Sequence, residues 1–113
     1  MADILYSDEV LELIAERFRV LAEPARLRIL QVLMTGEHSV TELVDRTGLG
    51  QANVSKHLSL LRTAEFVRRR KEGLYSYYSV NDPSVEDLCR IMCDRLEAGA
   101  SGVNDLLAAS TGS

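Results

Sequence analysis

The 113-residue sequence predicts a mainly helical chain with one small β-hairpin. Three observations predict it. Apolar residues recur at helical spacing along most of the chain, first as Val10, Leu13, Ile14, Phe18 and Leu21. Two short helical patterns are joined by a tight glycine-containing turn around Gly48-Leu49-Gly50. Between Phe66 and Val80 the period becomes that of strands, with Glu72-Gly73 as a hairpin tip.

The first helix begins at Ser7-Asp8-Glu9 and runs over residues 7–22. Serine can cap free N–H groups, and the two acids suit the positive end of the helix dipole. Pro24 suits a first helical position, where its missing N–H would be unpaired anyway. Leu27, Ile29, Leu30, Val32, Leu33 and Met34 then give a second helix, apolar around most of its circumference and therefore central; Thr35-Gly36 ends it. Ser39-Val40-Thr41-Glu42 is a capping box ahead of Leu43 and Val44. His38, directly before the cap, reads as an exposed turn residue. Thr47-Gly48 stops the third helix early, and Val54, Leu58 and Leu61 mark a fourth, so that a helix-turn-helix occupies residues 39–62. Its second helix exposes Gln51, Asn53, Ser55, Lys56 and Ser59, a row of hydrogen-bonding side chains.

The hairpin over residues 66–80 carries Arg68-Arg69-Arg70-Lys71 on one arm and Tyr75, Tyr77 and Tyr78 on the other. Asn81-Asp82-Pro83 closes it. A last helix over residues 84–108 starts at Ser84 with the stripe Val85, Leu88, Cys89, Met92, Cys93 and Leu96. Gly99 and Gly102 weaken it before Val103, Leu106 and Leu107 resume it, and the tail Ser110–Ser113 is expected to be disordered.

With 46% hydrophobic and 27% charged residues, the chain is ordinary globular material of one domain spanning 1–113. No long apolar run offers a membrane span, and Met1-Ala2-Asp3-Ile4 lacks the features of a secretory signal. Two cysteines four apart are too few for a disulfide framework. Together these readings place the chain in the cytoplasm, away from membranes. The net charge of -4 would speak against nucleic acid, but it is unevenly spread. Residues 1–50 carry five Lys/Arg against nine Asp/Glu, residues 51–80 six against two, and residues 81–113 two against six. The middle block is therefore +4 between two flanks of -4. A local basic patch matters more for phosphate binding than the overall balance does.

A helix-turn-helix followed directly by a basic hairpin has the order of a winged helix. Its second motif helix can enter a major groove while the hairpin lies along the neighbouring backbone. In three blocks the sequence resembles the ArsR/SmtB family of bacterial repressors. They are Leu21-Ala22-Glu23-Pro24-Ala25-Arg26-Leu27-Arg28-Ile29-Leu30, Gln51-Ala52-Asn53-Val54-Ser55-Lys56-His57-Leu58 with Leu60-Leu61-Arg62, and the wing from Val67 to Tyr78. The resemblance implies a winged-helix homodimer joined through its first and last helices. It implies a double-stranded operator as partner and an inducer that releases the protein. It also brings Ala52 and His57 into the DNA-binding set with Gln51, Asn53, Ser55, Lys56, Ser59, Arg68, Arg69, Arg70 and Lys71; by itself His57 reads as a residue that packs or touches phosphate, with no partner at metal-ligand spacing. Gln and Asn can address adenine bidentately, while Ser and Lys suit bases or phosphates.

The sequence departs from the family where inducers are sensed. The family's arsenic and cadmium sensors have a Cys-x-Cys pair at the third helix, where this chain reads Glu37-His38-Ser39-Val40-Thr41-Glu42-Leu43. Its zinc, cobalt and nickel sensors have Asp and His ligands on the last helix, but His38 and His57 both precede it. What remains is Cys89 and Cys93, one helical turn apart on one face. One reading makes them small buried hydrophobes. The other makes them a thiol sensor, in which two-fold symmetry gathers four sulfurs for As(III), Sb(III) or another soft ion, or exposes them to oxidants and persulfides. No cofactor is otherwise implied.

Three classes of function compete. A small enzyme lacks support, because no nucleophile–base pair, phosphate-cradling glycine loop or paired metal ligands are visible. A protein-interaction module would not need the basic focus on the motif and wing. A ligand-independent regulator differs from the inducible one only in the role of the two cysteines.

Overall fold

Among the described residues seven elements precede Asp82: α1 (Asp8–Leu21), α2 (Pro24–Leu33), β1 (His38–Ser39), α3 (Val40–Thr47), α4 (Gln51–Thr63), β2 (Val67–Glu72) and β3 (Tyr75–Val80). They form one compact unit, and α5 (Ser84–Gly99) belongs to a second that begins at Pro83. The computed structural model describes residues 5–99. The expected resumption of the last helix at Val103–Leu107 and the expected disordered tail lie outside the described residues. No helix among those described is long and apolar enough to cross a membrane.

The helix ends follow their local chemistry. Ser7 Oγ accepts from the Val10 N–H at 3.3 Å and caps α1. Pro24 stands at the start of α2, after an extended Glu23. At α3 the capping box is complete: Ser39 Oγ accepts from Glu42 N–H at 3.2 Å, and Glu42 Oε1 accepts from Ser39 N–H at 2.9 Å. The Ser39 backbone N–H first, and then the Ser39 side chain, hold the Glu42 carboxyl below the ordinary value. Gly48 ends α3 at φ +74, a left-handed conformation that suits glycine.

The core of the first unit is made by Ile29, Leu30 and Leu33 of α2, Leu43 of α3, Val54, Leu58 and Leu61 of α4, and Phe66 with Val67. α2 packs against α1, α3, α4 and β3, which bears out its central place. Burying each such side chain contributes about 1.5–3 kcal/mol. Arg17 fastens α1 to the rest of this unit. Its Nη1 donates to the Ala64 carbonyl at 2.8 Å and its Nη2 to Asp82 Oδ2 at 2.7 Å, with the guanidinium 4.2 Å from the Phe66 ring centroid.

The sheet corrects three expectations. It has three antiparallel strands, in the order β1-β3-β2, rather than a hairpin alone. The extra strand is two residues long, and His38 pairs with Tyr78 and Ser39 with Tyr77. His38 is therefore buried, at 6% exposure, and not an exposed turn residue. Its Nδ1 lies 2.7 Å from the Gly36 carbonyl, which meets the need of a buried ring nitrogen for a partner. The hairpin tip is Gly73-Leu74 rather than Glu72-Gly73, because Glu72 pairs with Tyr75. Gly73 has φ +62 at the first of two loop positions, where hairpin turns place glycine. Leu74, beside it in the tip, is fully exposed.

Candidate nucleic-acid interface

The turn between α3 and α4 is built by a threonine. Thr47 Oγ1 donates to the Leu43 carbonyl at 2.6 Å and accepts from the Leu49 N–H at 3.2 Å. One buried hydroxyl thus ties the end of α3 to the turn that launches α4. Val54, Leu58 and Leu61 anchor α4 in the core at spacings of four and three, which leaves the remaining faces free. Gln51, Ala52, Asn53, Ser55, Lys56 and Ser59 are all exposed, and His57 is half-exposed. The row expected from the sequence therefore stands on one helix.

His57 differs from its neighbours. Its Nδ1 lies 3.2 Å from Arg26 Nη1, a contact between α4 and α2 that the sequence did not suggest. Burial first, then the charges of Arg26 and Lys56, hold its pKa below the ordinary value, against an opposing pull from Glu23.

The four cations of β2 divide between two faces. Arg69 and Lys71 share the face of buried Val67, while Arg68, Arg70 and Glu72 share the other. All four are exposed. Arg68 Nε donates to Ser79 Oγ at 3.2 Å. Arg70 is held on three sides: by Glu37 at 2.8 Å, by Glu72 at 2.7 Å, and by the Tyr77 ring at 5.0 Å. Its hydrogen bonds to Glu37 and then Glu72 raise its pKa still further. The same pair, led by the hydrogen bond, holds the Glu37 carboxyl below its ordinary value. Among the described residues no ion pair engages Arg69 or Lys71. Among the described residues the wing cations outside any ion pair are thus Arg68, Arg69 and Lys71, with Arg68 held only by Ser79 and Arg70 already neutralised.

Cys89 and Cys93 are free thiols on α5, each half-exposed. Burial pushes the Cys89 thiol up, away from thiolate. Cys93 Sγ lies 4.0 Å from Glu97 Oε1, a contact one turn along the helix. Among the described residues no three His, Cys, Asp or Glu side chains cluster closely enough to hold a metal ion. One chain therefore offers two thiols, those of Cys89 and Cys93.

Comparison with known proteins agrees with this geometry. Residues 23–69 match the family described as "Bacterial regulatory protein, arsR family". An HTH-type transcriptional regulator of Mycobacterium tuberculosis, Rv0081, is 36% identical over 80% of this chain and 87% of its own length. The crystal structure of Rv0081 superposes with a TM-score of 0.75 at 35% identity, covering 90% of this chain and 100% of that one. A probable mercury resistance operon repressor of Streptomyces lividans is 45% identical over 66% of this chain, which spans only 59% of that protein's length. A solution structure from Mycobacterium bovis, described as a homodimeric winged helix-turn-helix DNA-binding domain, matches with a TM-score of 0.72 at 28% identity, over 84% of this chain and 94% of that one. Core, capped motif, exposed α4 row and paired wing are those of a DNA-binding regulator and not of an enzyme, and the chain belongs to the ArsR/SmtB family of winged helix-turn-helix transcriptional repressors.

Proposed function

We propose that the chain acts as a homodimer that reads a near-palindromic operator through α4 and leaves it when a thiol-reactive inducer reaches Cys89 and Cys93. The observation that carries the DNA reading is the exposed row Gln51, Ala52, Asn53, Ser55, Lys56 and Ser59, with half-exposed His57, beside the basic wing strand. In this reading Gln51 and Asn53 address base edges, and Ser55, Lys56, Ser59, Arg68, Arg69 and Lys71 hold phosphates or flanking bases. Arg70 sets the wing through its two carboxylates, and residues 1–113 work as one functional domain.

Exposed apolar side chains support the homodimer. On α1, where no residue is buried, Leu13 is 68% and Phe18 53% exposed; on α5, Ile91, Met92 and Leu96 are exposed. Such surface marks an interaction site on a small protein. Two α4 helices about 34 Å apart would then meet successive major grooves. A monomer by light scattering at micromolar concentration would contradict this.

The switch is supported by two half-exposed thiols one turn apart and by the mercury-operon name of one relative. Cys89 and Cys93 would hold a soft ion such as As(III), Sb(III) or Hg(II), with the second copy supplying two more sulfurs. A soft ion held by Cys89 and Cys93 would supply only a rigid link at these positions. The protein's part is mechanical: a change in the angle between the two last helices shifts the α4 helices off groove spacing. A difference of about 1–3 kcal/mol between the two dimer shapes suffices. The Cys89→Ser/Cys93→Ser variant should bind DNA as the parent does and ignore these ions. Release as ready as the parent's would make the cysteines packing residues in a regulator that senses elsewhere or not at all.

A further inference from the structure

One arginine links three helices. Arg26 Nε donates to the Val20 carbonyl at 2.5 Å, and its Nη2 reaches the Arg19 carbonyl at 3.5 Å. Both acceptors lie in the last turn of α1, where the dipole favours a cation, and the Arg19 carbonyl also accepts from the Ala22 N–H at 3.2 Å. The third nitrogen, Nη1, faces His57 Nδ1 on α4 at 3.2 Å.

The chemistry of the two groups fixes the state of the histidine. A guanidinium has five N–H donors, no acceptor, and does not lose its proton in a protein. The contact is a hydrogen bond only when His57 Nδ1 is bare. The imidazole is then neutral, with its proton on Nε2. A proton on Nδ1 would leave two cations with N–H groups aimed at one another.

We propose that Arg26 is a positioning residue for DNA reading: with a neutral His57 it forms a strut that ties α4 to the C-terminal turn of α1, and protonation of His57 opens that strut. The proposal rests on the reading of α4 as the helix that meets DNA and of α1 as a subunit contact. His57 lies one turn beyond Asn53 on α4, and Arg26 grips the same helix that exposes Leu13 and Phe18. The strut therefore runs between the proposed interface helix and the reading helix, through groups that hold one charge state.

The charged groups bearing on His57 are Arg26 and Glu23 from the start of α2 and Lys56 from α4 itself. The two cations and burial oppose the imidazolium; Glu23 favours it. A histidine held below its ordinary value binds protons less tightly when folded than when unfolded. Its contribution is present above about pH 6.5 and is lost as pH falls through the lower folded-state value.

The test compares wild type, His57→Gln and Arg26→Gln. Imidazole nitrogen chemical shifts are read in the free protein. Affinity for a duplex enriched from a random pool is read by fluorescence anisotropy at about pH 7.5 and about pH 5.5, either side of the ordinary histidine value. We expect a bare Nδ1 and protonated Nε2 at the higher pH, a titration midpoint below that of a free histidine, and an upward move of that midpoint in Arg26→Gln. Wild-type affinity should fall severalfold more on acidification than that of His57→Gln, whose neutral amide does not titrate. Parallel pH profiles would overturn the proposal. So would tighter wild-type binding at the lower pH, the signature of an imidazolium touching phosphate. An unmoved His57 midpoint in a merely less stable Arg26→Gln would also overturn it. Wild type that binds no duplex at either pH would instead refute the assignment of α4, and the tautomer and midpoint would still decide the strut.

Discussion

Arg69 and Arg70 are neighbours on β2, yet their replacement should act differently on DNA binding. Arg70 is neutralised by Glu37 at 2.8 Å and Glu72 at 2.7 Å, whereas Arg69 lies on the opposite face of the strand with no carboxylate among the described residues paired to it. Each phosphate held by a cation steepens the fall of log K with log salt by about 0.9. A dimer carries the change twice, so Arg69→Gln should flatten the slope by about 1.8. Across a roughly fourfold rise in salt, that alters the ratio of variant to wild-type affinity by about tenfold. The double variant Arg70→Gln/Glu37→Gln keeps the local net charge and should leave the slope as in wild type. Anisotropy titrations over a salt series give both slopes. A double variant as flat as Arg69→Gln would show that Arg70 leaves its carboxylates for phosphate and would refute the division of the wing into two faces. An unchanged slope in Arg69→Gln would refute the phosphate contact itself.

Two further expectations concern the framework that carries the site. Glu65 stands at φ +67 in the C-terminal motif of α4, where Phe66 N–H bonds to the Leu61 carbonyl and Glu65 N–H to the Arg62 carbonyl. An L-residue there costs about 1–2 kcal/mol, part of which glycine returns in chain entropy, so Glu65→Gly should stabilise by about 0.5–1 kcal/mol in denaturant unfolding. A loss of stability would contradict that account. The Glu37 carboxyl, held low chiefly by the Arg70 hydrogen bond, should keep the wing pair intact above about pH 4.5 and release it as pH falls through its lower folded-state value. Resonances of the Arg70 guanidinium should report that step in wild type and show none in Glu37→Gln; a step surviving in the variant would assign it elsewhere.

Much of the fold was legible because its signals are local. Ser39 and Glu42 lie three residues apart and cap α3 by themselves; Gly48 ends it by its own conformation. The spacing of Val54, Leu58 and Leu61 needs no knowledge of what they pack against. What the sequence hid depends on distant partners. His38 and Ser39 become a strand only because Tyr77 and Tyr78 lie beside them. The tip moved by one residue because pairing of Glu72 with Tyr75 sets the register. Arg70 read as one of four equivalent cations, and only folding brings Glu37, 33 residues away in sequence, against it. The Arg26–His57 contact crosses 31 residues and left no periodic signal. Glu65 occupies a position where glycine would have announced the turn. For Cys89 and Cys93, the spacing that suggested a sensor is equally that of a packed helix face, so their role turns on chemistry that neither spacing nor burial decides.

The central claim is that two copies of α4 read DNA sequence. Selection of bound duplexes from a random pool, followed by sequencing, tests it most directly. The account predicts enrichment of an inverted repeat whose half-sites are centred about 10 base pairs apart, or a multiple of that. It also predicts a changed half-site, at little loss of nonspecific affinity, for Asn53→Ala. Enrichment of no sequence, or of the same half-site by Asn53→Ala as by wild type, would contradict it.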